Sequence, residues 1–385
     1  MKKKILTISV FVAVALLIGG LYLWYMKVYG GASKIGIEEP TRANYDYQVI
    51  ASNHGIVSDY VWQRTRSLMT DNDASNLIPE YQMIAGRLSY QEEERSTNYR
   101  LEDQALLLSM YVRTGDRFSA ITLKNSVYDY FDMSAQSVRS LMAWTESFVE
   151  YYFFYGSNDD YNRLLELRDL LFDEDGNVRE EGLTVVAYME LESNDDPTYS
   201  NVTGVEIAAI NLKLIKTLED NGLLPQGSYQ KNLDLVLESQ VSAELPLFAY
   251  AYADGIYVYS HNVPAAVDVE ESIITMRHLA EVNALPEGSY SWLKNTLMNN
   301  GVIRSDYYYS QGVTNGAEAA NIYPDIMHIA LCIDDQDLYE RAATLIGMRV
   351  ATYNNSPALS MVFRETDGRF IFYARENIDI CLAVA

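Results

Sequence analysis

The stretch NYRLEDQALLLSMYVRTGDRFSAITLKNSV, residues 98–127, contains two apolar runs separated by Gly115 and Asp116. Within each run, apolar residues recur every three or four positions, which places them on one face of an α-helix. Glycine followed by aspartate is typical of one helix ending and the next beginning. The stretch therefore predicts a helical hairpin, with Glu102 and Asp103 in the first turn of its first helix, where the helix dipole favours a carboxylate.

The same helical spacing recurs along most of the chain. Short loops with Gly, Asn, Asp or Pro join the helices, and the strand-like pieces at 183–192 and 255–260 do not alternate with helices as a parallel sheet requires. No fixed-length repeat is present, so we predict a closed (α/α)6 barrel of helical hairpins, with short β pieces in loops, rather than an open solenoid. The predicted helix starts lie near Tyr47, Leu101, Phe118, Ser134, Tyr161, Val205, Gln230, Val267, Tyr290, Pro324 and Asp337.

The N-terminus reads as a membrane anchor. Three lysines precede the uncharged stretch ILTISVFVAVALLIGGLYLWYM, residues 5–26, which exceeds the ~20 apolar residues that a membrane-spanning helix needs. Its length and its aromatic end, with Trp24, favour an uncleaved anchor over a secretory signal. The lysines predict a cytoplasmic N-terminus and an extracellular domain, that is, a single-pass protein of the cell membrane.

The sequence divides into three parts. Residues 1–27 are the predicted transmembrane anchor, and residues 28–45 contain glycine, serine and proline without a period and predict a linker. Residues 46–385 show no internal boundary and suit one large barrel.

Composition excludes several classes of function. The formal net charge is −24, which disfavours nucleic acid and favours a neutral or cationic ligand. No HExxH, GxSxG or GxxxxGK motif is present, and Cys332 and Cys381 form neither a disulfide framework nor a zinc spacing. We therefore expect no metal and no cofactor.

Aromatic residues gather in four stretches, at 59–64, 151–156, 248–262 and 305–312, and the chain has 31 tyrosines in all. A single tyrosine commonly bridges core and solvent. Clusters of tyrosines are larger than packing alone explains, and flat rings with hydroxyl groups are suited to contact sugar rings. The residues that we predict to bind substrate are Tyr60, Trp62, Tyr252, Tyr257, Tyr308 and the acid Asp325.

A family resemblance covers the opening hairpin. The stretch RLEDQALLLSMYVRTGDRFSAI, residues 100–121, resembles the segment of family 8 glycoside hydrolases that reads Ser-Glu-Gly-Gln-Ser-Tyr-Gly-Met and supplies the general acid. Glu102 stands at the acid, Gln104 keeps the glutamine, and 115–118 falls where the family has a turn. The resemblance implies an (α/α)6 hydrolase of β-linked polysaccharide.

The resemblance continues more weakly over residues 46–350. In YSNVTGVEIAAINLKLIKTL, residues 199–218, Thr203 and Gly204 replace an acidic pair of the family, and Thr203 with Glu206 matches a capping box. The region 301–342 looks like the family's segment that carries the catalytic base. That likeness puts Glu318 at the base, with Asp325 as its rival.

The implied chemistry is that of an inverting glycosidase, in which a protonated carboxyl donates to the leaving oxygen and an ionised one activates water, roughly 6.5–9.5 Å away. If Glu102 is the acid, burial must raise its pKa against the helix dipole, which opposes by less than about 1 kcal/mol. Relatives encoded near polysaccharide synthases imply an exopolysaccharide as substrate and the export machinery as partner.

Two alternatives stay open. The loss of the acidic pair at Thr203 and Gly204 and the change to Glu318 are consistent with a catalytically inactive polysaccharide-binding relative. A polysaccharide lyase would use tyrosine with His261 or Asn262 as acid and base.

Overall fold

The computed structural model describes residues 18–20, 34–69, 76–85, 92–186, 199–263, 265–308, 312–313, 316–353 and 356–385. The helices are α1 Tyr45–Asn53, α2 Ser58–Met69, α3 Leu101–Arg113, α4 Arg117–Tyr130, α5 Val138–Tyr155, α6 Asn158–Leu171, α7 Leu212–Asp220, α8 Ser228–Glu238, α9 Val269–Glu281, α10 Glu287–Asn300, α11 Tyr323–Ile333, α12 Gln336–Gly347 and α13 Ala374–Val384.

Alternate helices from α3 to α13 form a closed inner ring. Each of α3, α5, α7, α9, α11 and α13 packs on the next, and α13 packs back on α3. The helices α2, α4, α6, α8, α10 and α12 form the outer layer, and the first of them packs on α13, so the two ends of the chain close the ring. This arrangement is the predicted (α/α)6 barrel.

The opening hairpin forms as its sequence predicts. Gly115 adopts a φ of +72°, a conformation that costs glycine little, and so lets α3 end and α4 begin. Asp116 then caps α4 by accepting a hydrogen bond from the Ser119 amide at 3.1 Å. The apolar face of α3 is buried against α5, with Leu108 and Trp144 fully inaccessible to solvent. Burial of such side chains is the main stabilising contribution to the ring.

Three small antiparallel sheets cover one end of the ring. Their strand orders are β10-β11-β1-β2, β3-β4-β5-β6 and β7-β8-β9. Several of these strands lead directly or through a short turn into an inner helix, so the sheets surround the N-terminal ends of the inner helices; we call this end the mouth. The strands are β1 Tyr81–Ala85, β2 Glu92–Arg95, β3 Glu181–Val186, β4 Tyr199–Glu206, β5 Ala251–Ala253, β6 Ile256–Val258, β7 Ala266–Asp268, β8 Asp306–Tyr308, β9 Gly312–Val313, β10 Arg364–Thr366 and β11 Arg369–Tyr373.

The helix predicted to begin near Val205 is wrong. Residues 199–206 form β4, which pairs with β3 and β5, and Glu206 ends the strand without a capping bond. The helix begins at Leu212 instead, because Asn211 caps it by accepting from the Leu214 amide at 2.8 Å. Strand pairing with distant residues therefore overrode the local capping pattern.

The C-terminal turns of the inner helices form the opposite end, which we call the closed end. Residues 34–44, which we predicted as part of the linker 28–45, lie across it. The Lys34 amide donates to the Tyr152 hydroxyl at 3.2 Å, and the Ala43 amide donates to the Ala385 carbonyl at 3.2 Å. Ile35 is buried at 4% exposure. This segment, hereafter the strap, is thus anchored by both hydrogen bonds and apolar burial.

The predicted membrane anchor, residues 1–27, lies outside the described residues except for 18–20. Within the part of the chain that the structure describes, no helix combines the length and the apolar character that crossing a membrane requires.

Candidate active site

Carboxylates gather at the mouth. They come from the first two turns of inner helices and from the end of β4, because parallel inner helices bring their N-termini to one end, where the dipoles favour negative charge. The cluster contains Glu102 and Asp103 of α3, Glu206 of β4, Glu270 and Glu271 of α9, Asp325 of α11, and Glu376 and Asp379 of α13.

Glu102 lies where the sequence placed it, in the first turn of α3. Its side chain is 15% exposed, accepts from the Ser140 hydroxyl at 2.9 Å and lies 3.6 Å from the Arg100 guanidinium. Burial favours a raised pKa, but hydrogen bonds from the backbone and Ser140, together with Arg100 and Arg375, outweigh it and lower the pKa. The expectation that burial raises the pKa of Glu102 is therefore wrong, and the free protein holds this carboxylate ionised.

The adjacent Asp103 has the opposite character. It is 1% exposed, and burial raises its pKa to about 7 against the opposing charges of Arg100 and Arg375. Its Oδ2 has no hydrogen-bond partner among the described residues. Together with Asp379, it lines a cavity of about 240 Å³ at the mouth.

Sequence reasoning passed over Asp103, although a signal was present. Leu107 and Met110 follow it at helical spacing, and both are buried. An acid on the apolar face of a helix must find a partner or hold a proton.

A second acidic site lies around Arg139, in the first turn of α5. The Arg139 guanidinium donates to Glu206 and to both oxygens of Glu271, the latter at 2.8 Å. Burial, reinforced by the neighbouring Glu271, raises the pKa of Glu206 to about 7 even though Arg139 opposes the shift. Glu206 can therefore keep a proton at neutral pH. We had interpreted it as a capping residue, and that interpretation is wrong.

The two sites are neighbours, because Ser140 holds Glu102 and the preceding Arg139 holds Glu206 and Glu271. A carboxylate with a lowered pKa and a carboxyl with a pKa raised to about 7 thus contact consecutive residues at the start of α5. Pairs of titratable groups whose environments drive their pKa values apart are a recurrent feature of acid–base active sites.

Charged side chains continue from the mouth into the ring. Arg277 holds Asp325 at 2.8 Å, and Glu281 accepts from His328 at 3.0 Å. Asp325, a predicted substrate-binding residue, is therefore a buried member of an ion pair. Burial lowers the pKa of His328, which favours its neutral form.

Glu318, the predicted base, lies on the rim of the mouth between β9 and α11. It is exposed and accepts from the Tyr323 hydroxyl at 2.6 Å. An isolated bridge to Arg304 fixes its backbone.

Three of the tyrosines predicted to bind substrate also lie on the rim. Tyr252 and Tyr257 face each other across the β5–β6 hairpin with ring centroids 4.9 Å apart, and Tyr308 ends β8. All three are half-buried.

The other two aromatic residues predicted to bind substrate do not reach the mouth. Tyr60 and Trp62 belong to the outer helix α2, and Trp62 packs on Tyr111, near the last turn of α3, with ring centroids 5.5 Å apart. The stretch that we took for an aromatic loop is a helix that packs over the closed end.

His261 lies beside Asp268. Its Nδ1 lies 3.1 Å from an Asp268 carboxylate oxygen, and its ring packs on Tyr250. The interaction with Asp268 raises the pKa of His261. A histidine held by a carboxylate is a common arrangement of a general base, so the lyase alternative stays open.

Among the described residues, no group of three or more His, Cys, Asp or Glu side chains is arranged to hold a metal ion. Cys381 is buried and Cys332 half-buried, and both are free thiols.

No family model matches the chain. No curated protein matches it either. Several solved structures do.

A novel alpha-amylase from Clostridium perfringens matches with a TM-score of 0.66 and 13% identity, over 86% of this chain and 96% of that one. A beta-1,3-1,4-glucanase from Paenibacillus sp. X4 matches with a TM-score of 0.52 and 10% identity, over 92% and 97%. Endoglucanase Cel10 from Klebsiella pneumoniae, a family 8 glycosyl hydrolase, matches with a TM-score of 0.47 and 11% identity, over 74% of this chain and 97% of that one.

At these identities, the likeness shows the fold alone, and the match to Cel10, with a TM-score of 0.47, supports no conclusion. The chain has the (α/α)6 fold of glycoside hydrolases.

Proposed function

We propose that the protein is a glycoside hydrolase that cleaves internal β-glycosidic bonds of an exopolysaccharide at the mouth, by an inverting acid–base mechanism. The observation that carries the proposal is the pair of neighbouring carboxyl sites at the start of α5, where Ser140 donates to Glu102 and Arg139 donates to Glu206. Glu102 has a lowered pKa, and Glu206 has a pKa raised to about 7.

In this mechanism Glu102 acts as the base, and Glu206 acts as the acid. The ionised Glu102 takes a proton from water as that water attacks the anomeric carbon, and Glu206 gives its proton to the departing oxygen. Glu271 and Arg139 position Glu206. These roles reverse the sequence-based assignment of Glu102 as the acid.

The predicted base Glu318 provides a second arrangement on the same rim. If Glu318 activates the water, E318Q abolishes cleavage, and E206Q leaves most of it. The two single variants therefore decide which carboxylates act.

A neutral or cationic β-glycan suits the charge of the protein. The chain carries a net charge of −24, which repels polyanions. Tyr252, Tyr257 and Tyr308 on the rim offer ring faces and hydroxyls of the kind that sugars contact.

The location that we propose is the outer face of the cell membrane, with residues 1–27 as the anchor and the N-terminus in the cytoplasm. The strap brings the chain into the ring at the closed end. A polymer leaving its synthase or export machinery would then meet the mouth, which opens on the opposite side.

The test uses the full chain in detergent, incubated with soluble neutral β-glucans and with a deacetylated amino-glycan. We expect new reducing ends with the wild type and a loss of at least about 100-fold with E102Q, because base catalysis contributes about 10²–10⁴-fold. E38Q is the matched control, since Glu38 is an exposed acid that pairs with Lys216 near the closed end. Equal rates for E102Q and E38Q would refute the proposal.

The second candidate is a catalytically inactive polysaccharide-binding relative. The observation that favours it is the strand at 199–206, where Thr203 and Gly204 stand in place of the family's acidic pair. Binding of the same glycans without reducing ends would establish it, and ultraviolet-absorbing unsaturated ends would indicate a lyase.

A further inference from the structure

Three phenylalanines are exposed at the closed end. Phe118 is 82% exposed, Phe154 48% and Phe153 37%, and no other phenylalanine in the described part of the chain is as open to solvent. The rings of Phe153 and Phe154 pack with centroids 5.0 Å apart. We call these three residues the phenylalanine patch.

Their positions in the fold bring them to the same end. Phe153 and Phe154 belong to the last turn of α5, and Phe118 to the first turn of α4, which starts where α3 ends. The Arg117 guanidinium lies over the Tyr155 ring, 5.4 Å from its centroid, and so joins the start of α4 to the end of α5.

The chain enters the ring beside this patch. The Lys34 amide donates to the Tyr152 hydroxyl, and the Lys34 ammonium lies 4.2 Å from the centroid of the Tyr161 ring. Tyr152 directly precedes Phe153 in α5. The first described residue of the strap is therefore adjacent to the patch.

The distance from the bilayer to the patch is limited by the chain. The strap holds residues 34–44 on the ring, so only the residues between 27 and 34 connect the proposed anchor to the folded part. With six residues between them, residues 27 and 34 can lie at most about 25 Å apart when the chain is fully extended. The closed end cannot move far from the membrane surface.

Apolar side chains at such a position have a clear use. Exposed aromatic clusters are uncommon on proteins that are free in water and mark contact surfaces for proteins or membranes. Each phenylalanine that enters the interface is removed from water, at roughly 25 cal/mol per Å² of apolar surface. The net charge of −24 opposes attraction to anionic lipid, so the contact is apolar.

We infer that the phenylalanine patch rests in the headgroup region of the bilayer, as a second membrane contact beside the anchor, and holds the mouth facing away from the membrane. This inference rests on the membrane location in the proposed function and not on the hydrolase activity. The inner helices α3 and α5 have 13 and 18 residues, so the mouth lies about 20–27 Å farther from the membrane than the closed end. The mouth would then bind substrate at that height above the lipid surface.

The experiment uses the full chain in phosphatidylcholine nanodiscs. An environment-sensitive fluorophore is attached at F154C, or at M348C as the control, both in a C332S background. Met348 is 71% exposed and follows α12 at the mouth end, next to Arg349, which pairs with Glu376 of α13. We expect a blue-shifted emission at position 154 that brominated lipid quenches at least twofold, and no quenching at position 348.

Each outcome has a separate meaning. Protein that does not stay with the nanodiscs refutes the anchor. Protein that stays but gives equal quenching at both positions refutes the patch contact and leaves the anchor intact. A blue shift at 154 that grows with protein concentration and ignores brominated lipid shows a second copy on the patch, which also overturns the inference.

The contact is also tested by substitution. In the triple variant F118S/F153S/F154S, with the fluorophore attached at N158C, an exposed position beside the patch, we expect quenching to fall to the level of the control position. The triple variant should keep its thermal stability, because the three side chains are exposed. Undiminished quenching would show that the ring is held near the lipid by the tether alone.

Discussion

The two ends of the ring differ in the side chains and contacts that build them. At the mouth, buried acids such as Asp103 and Glu206 hold raised pKa values, and a guanidinium is shared between two carboxylates. At the closed end the strap covers the inner helices, and its anchors are backbone hydrogen bonds and a buried isoleucine. Buried charge costs free energy unless it is paired. The closed end also holds a buried pair, Lys124 with Asp160 at 2.7 Å, whereas at the mouth two acids share one guanidinium.

The difference indicates where selection for function has acted. A ring that only needed to be stable could fill its mouth with apolar side chains, because replacing buried ion pairs by hydrophobic residues is often neutral or stabilising. The charges retained at the mouth are consistent with the proposed catalytic use. The predictions below test whether the two ends differ in this way.

The largest expected effect is on catalysis at the mouth. E206Q removes the proposed proton donor while keeping the shape of the side chain, and we expect it to lower kcat about 10²–10⁴-fold on a natural glycan. A glycosyl fluoride, whose leaving group needs no proton, should be cleaved at a rate much closer to that of the wild type. If the variant loses both substrates equally, Glu206 does not act as the acid.

The pH dependence of the wild type provides the same test without a substitution. Cleavage should fall as pH rises through about 7, where Glu206 loses its proton. It should persist at acid pH to below 4.5, because the pKa of Glu102 is lowered from that value. A fall in rate on acidification through pH 6 would contradict the assignment of Glu102 as the base.

The next largest effect is on stability. R139Q removes the guanidinium shared by Glu206 and Glu271 and leaves two buried acids facing each other, so we expect a loss of about 3–5 kcal/mol in the free energy of unfolding. R168Q is the control, since Arg168 pairs only with the exposed Asp169 and should cost less than about 1 kcal/mol. Urea unfolding measures both. Equal losses would mean that the mouth cluster is no more costly to break than a surface pair.

The ring itself could be predicted from the sequence, and the rim could not. Helical spacing over residues 98–127 shows the inner and outer helix of one hairpin, because side chains three or four apart share a face whatever surrounds them. The strand β4 reads locally as the start of a helix, and only its pairing with β3 and β5 makes it a strand. Such pairing joins residues that are far apart in sequence.

The site could be found only in part for a similar reason. Glu102 was found because its place at a helix start and its resemblance to a known motif are local features. Its pKa was misjudged, because burial is outweighed by the backbone hydrogen bond at the helix start and the charge of Arg100, and Ser140 and Arg375 from other helices add to the lowering. Glu206 was missed, since its partners Arg139 and Glu271 are 67 and 65 residues away along the chain.

A smaller effect at the mouth comes from Asp103. Its pKa is raised from 3.8 to about 7, so the stability that it contributes is complete below pH 3.8 and is lost as pH rises through about 7. The amide of D103N does not ionise. Between pH 3.8 and pH 7, the free energy of unfolding of this variant should therefore gain up to about 4 kcal/mol relative to that of the wild type. Unfolding by urea at pH 4 and pH 8 measures the gain, with the exposed-turn variant D175N as the control. A gain that does not depend on pH would contradict the assignment.

The smallest expected effect lies at the closed end. Asn221 bonds both backbone groups of Gly36, at 2.7 and 2.8 Å, and so fastens the strap to the end of α7. N221A should cost about 1–2 kcal/mol and speed amide exchange in residues 34–44, because two hydrogen bonds are lost at a half-exposed site. Glycan cleavage should not change, since no mouth residue contacts the strap's Gly36. N201A, which removes a bond to Thr184 on an exposed sheet at the mouth, is the matched control and should leave strap exchange unaltered. If N221A slows cleavage, the two ends are coupled, which would contradict the separation of catalysis at the mouth from anchoring of the strap at the closed end.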